Sequence, residues 1–571
     1  SLAFLLPLLA VLTLAAAVSS VSNITDNNEL IYYYFQEYSS NPYTFNRSRL
    51  YRGYCVSARC PSSERNASLR FERCVDERMR RHALSARLRT LQYCTTQKQH
   101  QQTAEQPPDA AQQLFLQVVY ALLVLNLVGT VYDVALGDRE KKNGILMAWS
   151  VRASWRRLTA TYDDGDPRLK KLEPIQGLRF MLFTIYAHTC LQHSQFYVRN
   201  PNFLENLSFR ADGVLLANGT SLIQLYVMMS TFLTAYNLLL YSQTRKLSFQ
   251  MLPVLLFKRM IRLTPVHLLL VGYAATWWPY ARSGALSAVI GEKIAICRRK
   301  FWTHAFFLNN VVEKHDSCFA PTWFLPVDMH LYIVACVFTI IMSRRRNQAL
   351  RLYVILFIIS GLFCGVVNYI TEWKAIIYFS VPEKVRGIFI NEESFGGFYT
   401  SSWGSLPACF LGLFTAHLHY ELQEKKYDCN ENKWVYPVGT LWVIVVGKCM
   451  REYKQPLVTA AYVAADRPAV CVFMFFLLFG VFNIEGTFVF YSCQGWRVMA
   501  RLSLPVMLVH WLVGVVICAR PTAYHTSVFD IVSLSGLPNS MTVSIPGAEH
   551  LYVVIVSKHW GRYCFHKFKL F

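Results

Sequence analysis

The 571-residue sequence predicts an all-α polytopic membrane protein with about eleven transmembrane helices and a small, disulfide-bonded extracytoplasmic domain at its amino end. The first reason is composition, because 53% of the residues are hydrophobic and 16% are charged, against about 45–50% and about 25% in soluble domains. The second reason is that apolar runs of about 17–25 residues recur along the chain, and such runs span about 30 Å of hydrocarbon. Together these observations exclude a soluble enzyme, a disordered chain and a fibrous protein.

The formal net charge of +22 indicates a membrane rather than nucleic acid as the partner. In membrane proteins, Lys and Arg collect in loops that face anionic lipid headgroups. The sequence contains no zinc-finger or RNA-binding motif that would favour the other interpretation. We therefore expect membrane lipids as partners and no nucleic acid.

The amino-terminal part has the features of a secreted segment. Residues 1–20 hold an apolar run that ends in small residues, which is typical of the remainder of a signal peptide. Residues 22–112 form a polar domain with glycosylation sequons at Asn23, Asn46 and Asn66. Cysteines lie in the same domain, at Cys55, Cys60, Cys74 and Cys94. An oxidising compartment and two disulfides are expected, and the sequence leaves their pairing open.

Eleven apolar segments account for most of the remaining chain. They cover residues 114–136, 175–194, 221–242, 263–280, 323–342, 352–371, 403–420, 434–450, 468–486, 503–519 and 546–558. The first segment and the basic loop after it make up region 113–174, and the other ten make up a membrane domain over residues 175–560. Residues 561–571 are expected to form a basic tail in the cytosol.

Two independent signals predict the orientation. Segment 195–220 carries sequons at Asn206 and Asn218, so it is expected in the lumen. The loops that are then cytosolic, including 137–174 and the arginines at 344–346, hold more Lys and Arg than the lumenal loops, as the positive-inside rule requires. We therefore expect a multi-pass protein of the plasma membrane or endoplasmic reticulum, with its amino-terminal domain lumenal or extracellular.

Ionisable side chains inside predicted spans are costly and mark candidate sites. Arg259 and Arg262 lie three positions apart on one helical face near the predicted cytosolic boundary. They either snorkel to lipid or hold the phosphates of a cytosolic donor. His188 is either a hydrogen-bonded link between helices or a catalytic base. Asp328 is expected to find a partner on another helix, because a lone carboxylate in hydrocarbon costs about 2.5–3.5 kcal/mol.

Three further residues are singled out around the span that begins near 323. Trp323 is predicted to line the mouth of a cavity. The alternative is that Trp323 anchors its helix at the membrane interface and that Asp328 lies at the level of the lumenal water. Cys297 and Cys318 bracket one segment that is expected in the lumen, and we predict that they form a disulfide. No Cys/His spacing resembles a zinc site, so no bound metal is expected.

The order of the sequence motifs resembles that of a known family. The motifs are Leu172–Phe180 (LEPIQGLRF), His188-Thr189, Ser230 in MMSTFL, RMIRLTP from Arg259, Asn309-Asn310, TWFLPVDM with Trp323 and Asp328, and LSLPVMLVH ending at His510. This order resembles the nose-resistant-to-fluoxetine proteins of invertebrates, which join a Cys-containing lumenal domain to an acyltransferase-3 type membrane domain. The resemblance covers about residues 40–560 and implies one leading span followed by ten core spans.

The resemblance implies acyl transfer from acyl-CoA to a hydroxyl group of a lipid or another acceptor, with acyl-CoA as co-substrate and no bound cofactor. His188 would be the general base, since an imidazole that titrates near neutrality can take a hydroxyl proton. The guanidinium groups that would hold the donor phosphates are Arg179, Arg259 and Arg262. The residues that would line the cavity are Ser230, Trp323, Asp328 and His510.

The sequence leaves a second function open. Arg179 and His188 are nine positions apart, which turns them to opposite sides of a regular helix. The chain is therefore also consistent with a non-catalytic transporter or binding protein for lipids or hydrophobic small molecules, which would use the same helical cavity.

Overall fold

The computed structural model describes residues 56, 60, 64, 66–81, 85–88, 107–137, 143–160, 168, 172–179, 219–281, 288–373, 393–427, 438, 455–483, 498 and 500–519. These residues form helices and no strand, in agreement with the predicted all-α class. The chain divides into two compact units, one of residues 1–103 with 381–383 and one of residues 104–380 with 384–571.

The helices are numbered in chain order. The first unit contains α1 (Ala67–Arg80). The second unit contains α2 (Ala110–Leu136), α3 (Gly144–Trp149), α4 (Val151–Thr159), α5 (Pro174–Leu178), α6 (Gly219–Thr244), α7 (Leu252–Thr276), α8 (Trp278–Ala281), α9 (Ala288–Arg299), α10 (Phe301–Ala305), α11 (Phe324–Met342), α12 (Arg346–Thr371), α13 (Leu406–Glu424), α14 (Pro456–Asn483) and α15 (Ser503–Ala519). Short 3₁₀ turns cover Phe249–Met251, Ala320–Trp323 and Trp403–Ser405, and a π-helical turn covers Phe395–Tyr399.

In the first unit, a disulfide fixes the chain against α1. Cys60 and Cys74 are joined, with 5.6 Å between their Cα atoms. The helix begins at Asn66, whose side-chain oxygen accepts a hydrogen bond from the N–H of Ser68 and so caps the first turn. The other two cysteines of this domain, Cys55 and Cys94, lie outside the described residues.

Five of the described helices, by length and composition, are able to cross a membrane: α2, α6, α11, α12 and α14. They coincide with predicted spans at 114–136, 221–242, 323–342, 352–371 and 468–486. The predicted spans at 263–280, 403–420 and 503–519 fall on α7, α13 and α15, which are not among the five. The predicted spans at 175–194, 434–450 and 546–558 lie almost wholly outside the described residues. The count of eleven spans therefore stays a prediction.

Small residues allow the central helices to pack closely. α6 lies against α13, where a Cβ added to Gly412 would come within 2.7 Å of the carbonyl oxygen of Met228. α12 lies against α14, where a Cβ on Gly365 would come within 2.7 Å of the Cβ of Ala464. Helices in a membrane associate by close van der Waals packing, so these contacts hold the bundle at fixed spacing and fix the positions of the polar side chains between the helices.

A second apolar core lies beside the central bundle. It joins the later part of α7 to residues 288–323, which we call the disulfide segment, and to Trp511 of α15. The segment is closed by Cys297 and Cys318, whose Cα atoms are 4.6 Å apart, so the predicted pair is joined in the structure. The bridge ties α9 to the chain that leads into α11.

Most of the surface of the leading helix α2 is exposed, since only 6% of its apolar window is buried. Its last part packs on α3 and α4, where the hydroxyl of Ser150 donates to the carboxylate of Asp133 at 2.8 Å. Its first turn contacts α7 and α9. Gln112 donates to the carbonyl of Thr276 at 3.1 Å, and Asp109 pairs with Arg298 at 2.8 Å. The main-chain N–H of Gln112 and, after it, the Arg298 guanidinium hold the pKa of Asp109 below its ordinary value. Most of α2 therefore presents apolar surface outward, as a lipid-facing helix does.

Candidate functional site

A buried ion pair lies between α7 and α11. The Nη2 atom of Arg259 donates to both carboxylate oxygens of Asp328, at 2.7 and 2.6 Å, and to the hydroxyl of Ser230 on α6 at 2.8 Å. Ser230 in turn donates to Asp328 at 2.7 Å. The Arg259 guanidinium also lies 4.2 Å from the centre of the Tyr332 ring. We call Ser230, Arg259, Asp328 and Tyr332 the polar centre.

The depth of Arg259 in the bundle follows from its neighbours. Tyr332, eight positions after the first residue of α11, lies under the Arg259 guanidinium, and its hydroxyl donates to the carbonyl of Leu255 at 3.5 Å. Eight positions of helix correspond to about 12 Å, so Arg259 is level with the middle of the 19-residue α11. The side chain of Arg259 turns inward to the carboxylate of Asp328, and the expectation that Arg259 lies near the cytosolic boundary stays a prediction.

The three cations that the sequence groups around a donor phosphate have different surroundings in the structure. Arg259 is engaged in the polar centre, while Arg262, one turn later, is exposed. Arg179 is half-buried at the end of α5, and its carbonyl accepts from the hydroxyl of Tyr226 at 2.8 Å. His188 lies outside the described residues, so its role as a base stays a prediction.

A small pocket of about 20 Å³ lies between the disulfide segment and the chain around Phe395 to Thr400. The residues that line it are Lys300, His304, Asn309, Asn310, Lys314, His315, Asp316, Ser317, Cys318, Thr322, Trp323, Phe395 and Thr400. Most of these side chains are polar, and two present aromatic rings. The pocket therefore combines hydrogen-bonding groups with apolar faces, and it has room for about one water molecule.

The two adjacent asparagines are held by main-chain carbonyls. Asn309 donates from its amide nitrogen to the carbonyl of Thr322 at 3.3 Å, and Asn310 donates to that of Thr400 at 3.1 Å. Asn310 also reaches the hydroxyl of Ser402, which lies 2.8 Å from Nδ1 of His330 on α11. A hydrogen-bonded chain therefore runs from the pocket to the helix that carries Asp328.

Lys300 holds the wall of the pocket together. Its ammonium donates to the carbonyls of Asn309, Glu313 and Asp316, at 3.1, 2.8 and 2.6 Å. The residue is 1% exposed, and burial lowers the pKa of its amine to about 8. The neighbouring Arg299 pairs with Glu313 at 3.0 Å and with Asp316. Lys300 thus donates the hydrogen bonds that main-chain N–H groups would donate to these carbonyls in a regular helix or strand.

Two histidines meet beneath the pocket. Nδ1 of His304 lies 3.2 Å from Nε2 of His267 on α7, and both rings are at most 1% exposed. Burial, followed by the nearby His267 and Lys300, holds the pKa of His304 well below its ordinary value. His304 is therefore a neutral imidazole, with one ring nitrogen committed to His267 and the other available.

Of the four residues predicted to line a cavity, Trp323 lines this pocket. Ser230 and Asp328 belong to the polar centre, and the expected partner of Asp328 is Arg259. Nδ1 of His510 is 3.1 Å from the carbonyl of Val506, one turn earlier in α15. Lys300 and His304 were not singled out from the sequence, because a basic residue and a histidine in an extramembrane loop carry no recognisable signal by themselves.

Asn66 is the predicted glycosylation site that falls within the described residues. It is exposed, and its side-chain oxygen is the cap of α1. A glycan would attach to the amide nitrogen and leave that oxygen in place, so the cap and the modification are compatible. Asn23, Asn46, Asn206 and Asn218 lie outside the described residues. Across the described part of the chain, no group of three or more His, Cys, Asp or Glu side chains is placed to hold a metal ion.

Apolar helices of membrane-spanning length with an ion pair buried between them define a helical membrane protein. The chain is similar to the Nose resistant to fluoxetine protein 6 of Caenorhabditis elegans, with 21% identity over 251 residues. The match covers 38% of this chain and 29% of that protein's length. This loosely supports the family that the motif order resembles. No family model matches the chain, and no solved structure matches it.

Proposed function

We propose that this protein is a membrane-bound acyltransferase-like protein that transfers an acyl group from acyl-CoA to a hydroxyl group of a lipid or another acceptor. One observation carries the proposal: Nε of Arg259 is buried and has no hydrogen-bond partner among the described residues. A buried donor without an acceptor costs about 1–3 kcal/mol. A carbonyl or phosphate oxygen of a bound acyl donor is an acceptor of the kind that a guanidinium takes.

The rest of the polar centre supports this role for Arg259. Asp328 contacts one edge of the guanidinium through both carboxylate oxygens, and Ser230 contacts the same nitrogen. Because the guanidinium is planar, these contacts fix the direction of its remaining N–H groups. A donor that is oriented before the ligand arrives binds without further ordering cost.

A second function is favoured by a different observation. Of the cations expected around donor phosphates, Arg259 is already paired with Asp328 and Arg262 is exposed. A lipid or hydrophobic small molecule without phosphates needs no such cluster of cations. Non-catalytic binding or transport of such molecules is therefore the alternative that we retain.

Turnover by the purified full chain in lipid nanodiscs tests the first function. With radiolabelled acyl-CoA and a hydroxyl-bearing lipid, we expect transfer that falls at least about 100-fold in His188→Ala, the loss typical of a removed general base. The matched control is His417→Gln, another buried imidazole, whose Nδ1 lies 3.1 Å from the carbonyl of Leu413 on α13. Transfer that survives His188→Ala at the wild-type rate would contradict the assignment of the base.

The contribution of Arg259 needs a variant that leaves no unpaired charge. The double variant Arg259→Gln/Asp328→Asn replaces the ion pair by two amides that can still hydrogen bond. We expect the KM for acyl-CoA to rise about tenfold or more, while the exposed Arg351→Gln on α12 keeps the wild-type value. Saturable binding of a hydrophobic ligand by wild-type protein that shows no transfer would favour the alternative.

A further inference from the structure

The short helix α4, which follows the leading helix α2, carries an exposed apolar row beside an exposed basic row. Val151 and Trp155 lie four positions apart and are 58% and 63% exposed. Arg152 and Arg156 follow them by one position each, so they form the neighbouring row of the same helix, and both are exposed. An exposed tryptophan beside arginines is typical of a helix that lies in a membrane interface, with its ring among the headgroups and its cations at the phosphates.

Contacts at both ends hold α4 in one orientation. At its start, the hydroxyl of Ser150 donates to the carboxylate of Asp133 on α2 at 2.8 Å. At its end, Nη1 of Arg501 donates to the carbonyls of Arg157 and Leu158, at 2.6 and 2.7 Å. These carbonyls belong to the last turn of α4, which has no further helical N–H group to satisfy them. The fold therefore holds the two rows outward, and their exposure is not an effect of a loose helix.

The level of α4 along α2 corresponds to the edge of the hydrocarbon. The apolar run of α2 begins at Leu114, and Asp133 follows 19 positions later, which is about 28 Å along a helix. The hydrocarbon core of a bilayer is about 30 Å thick. A span that begins at Leu114 therefore brings Asp133, and with it the first turn of α4, to the headgroup region of the leaflet in which α2 ends.

The charge of this region selects the kind of headgroup. Residues 143–160 contain three arginines and no acidic residue, and all three arginines are exposed. Guanidinium groups bind phosphate and carboxylate oxygens, and each cation near a membrane surface gains from a net negative charge on the lipid. A protein with an acidic surface would also attract the arginines, but lipid headgroups are what surrounds a helix at this level beside a span. The arrangement therefore favours anionic lipid as the partner.

We propose that α4 is an interfacial helix that binds the headgroups of anionic phospholipids in the leaflet in which α2 ends. Val151 and Trp155 enter the boundary between headgroups and acyl chains, while Arg152 and Arg156 contact the phosphate and carboxylate groups of the lipid. Arg501 connects the bound helix to the chain that leads into α15. The surface contains no residue of the polar centre, so failure of the lipid test and failure of the turnover test are separate results.

The test is site-specific photocrosslinking in the full-length protein. The photoreactive amino acid p-benzoylphenylalanine replaces Trp155, and the protein is placed in nanodiscs that contain equal amounts of phosphatidylserine and phosphatidylcholine. The comparison position is Ile358, an exposed residue in the middle of α12. We expect the ratio of phosphatidylserine to phosphatidylcholine in the crosslinked lipid to be about fivefold or more higher at position 155 than at position 358, the gain of one arginine at an anionic surface.

A matched pair of double variants separates a lipid site from a general effect of charge. Arg152→Gln/Arg156→Gln removes two cations from α4, while Lys425→Gln/Lys426→Gln removes two exposed cations that follow α13. We expect the first pair to lower the lipid ratio at position 155 to that at position 358, and the second pair to leave it unchanged. Crosslinking of position 155 to both lipids in their bulk ratio, to a protein chain instead of lipid, or to nothing overturns the proposal, and so does an equal response of the two double variants.

Discussion

Arg259 and Lys300, two cations that are largely withdrawn from solvent, are held in opposite ways. Arg259 is neutralised by a carboxylate that is 69 positions away in sequence, on another helix. Lys300 is held by three main-chain carbonyls that are 9, 13 and 16 positions away in the same segment. The comparison shows how secondary structure decides which partner is available to a buried charge.

The reason lies in how each region uses its main chain. Inside the membrane bundle, helical carbonyls are already engaged with N–H groups one turn later. A cation there pairs with an acidic side chain, as Arg259 does, or with a carbonyl at a break between helices, as Arg467 does with that of Gly404. In the disulfide segment the chain is irregular, with Phe307 and Glu313 at positive φ, and its carbonyls need donors from elsewhere. A lysine with three N–H groups satisfies several of them at once.

Breaking the ion pair is expected to have the largest effect. In Asp328→Ala the Arg259 guanidinium stays buried without its counter-charge, which should lower the free energy of unfolding by about 3–5 kcal/mol. Removing both charges in Arg259→Met/Asp328→Leu should restore most of the loss, because well-packed apolar residues replace buried ion pairs at little cost. Thermal unfolding in detergent compares these proteins with Ser230→Ala, expected to lose about 1 kcal/mol. An Asp328→Ala variant no less stable than Ser230→Ala would refute the role of the ion pair.

Removing the lysine should have an intermediate effect. Lys300→Met leaves the carbonyls of Asn309, Glu313 and Asp316 without their donor, and we expect a loss of roughly 2–3 kcal/mol. The damage should stay local, seen as faster amide hydrogen exchange in residues 300–323 and no change in α6 or α13. Lys300→Arg keeps a charged donor and should lose less. Exchange that rises equally in the central bundle would contradict a local role.

The smallest expected effect is a dependence on pH. Burial lowers the pKa of the Lys300 amine from 10.5 to about 8 in the folded protein. Between these values the unfolded chain binds more protons than the folded one, so the contribution of Lys300 to the free energy of unfolding rises with pH across that window. Below about pH 8 the amine is charged in both states, and its burial is most unfavourable there.

The measurement for this effect is the melting temperature of wild type and Lys300→Met between pH 7 and 10. We expect the difference between the two proteins to grow in favour of wild type as the pH rises above about 8. The exposed Lys425→Met should follow the wild-type curve. Parallel curves for wild type and Lys300→Met would show that Lys300 keeps its ordinary pKa.

The sequence predicted where the apolar helices lie more accurately than the residues at which they begin. The span predicted from 263 belongs to a helix that begins at Leu252, and the span predicted from 468 belongs to one that begins at Pro456. In both, inward-facing charges interrupt the apolar run that guided the prediction. Arg259 meets Asp328, and Arg467 donates to the carbonyl of Gly404 at 2.6 Å. A hydropathy scale scores Arg259 and Arg467 as polar, although each of them is paired with another group inside the protein.

The sequence predicted those features of the candidate site that depend on the chemistry of side chains. The cost of a carboxylate in hydrocarbon predicted that Asp328 has a partner, and the two cysteines predicted their own bridge. The partner's identity required the antiparallel packing of α7 on α11. Trp323 was predicted to line the mouth of a cavity, and it lines the pocket. Lys300 was not predicted there, because it is held by main-chain carbonyls, which every residue possesses and no sequence motif reports.

The polar centre also has a consequence for how the chain is made. When Arg259 is added to the growing chain, the acid that neutralises it is still 69 residues from being translated. At about 5–20 residues per second, that interval is about 3–14 s. During this time α7 carries an arginine without its counter-charge, and the ion pair can form only after α11 has been synthesised.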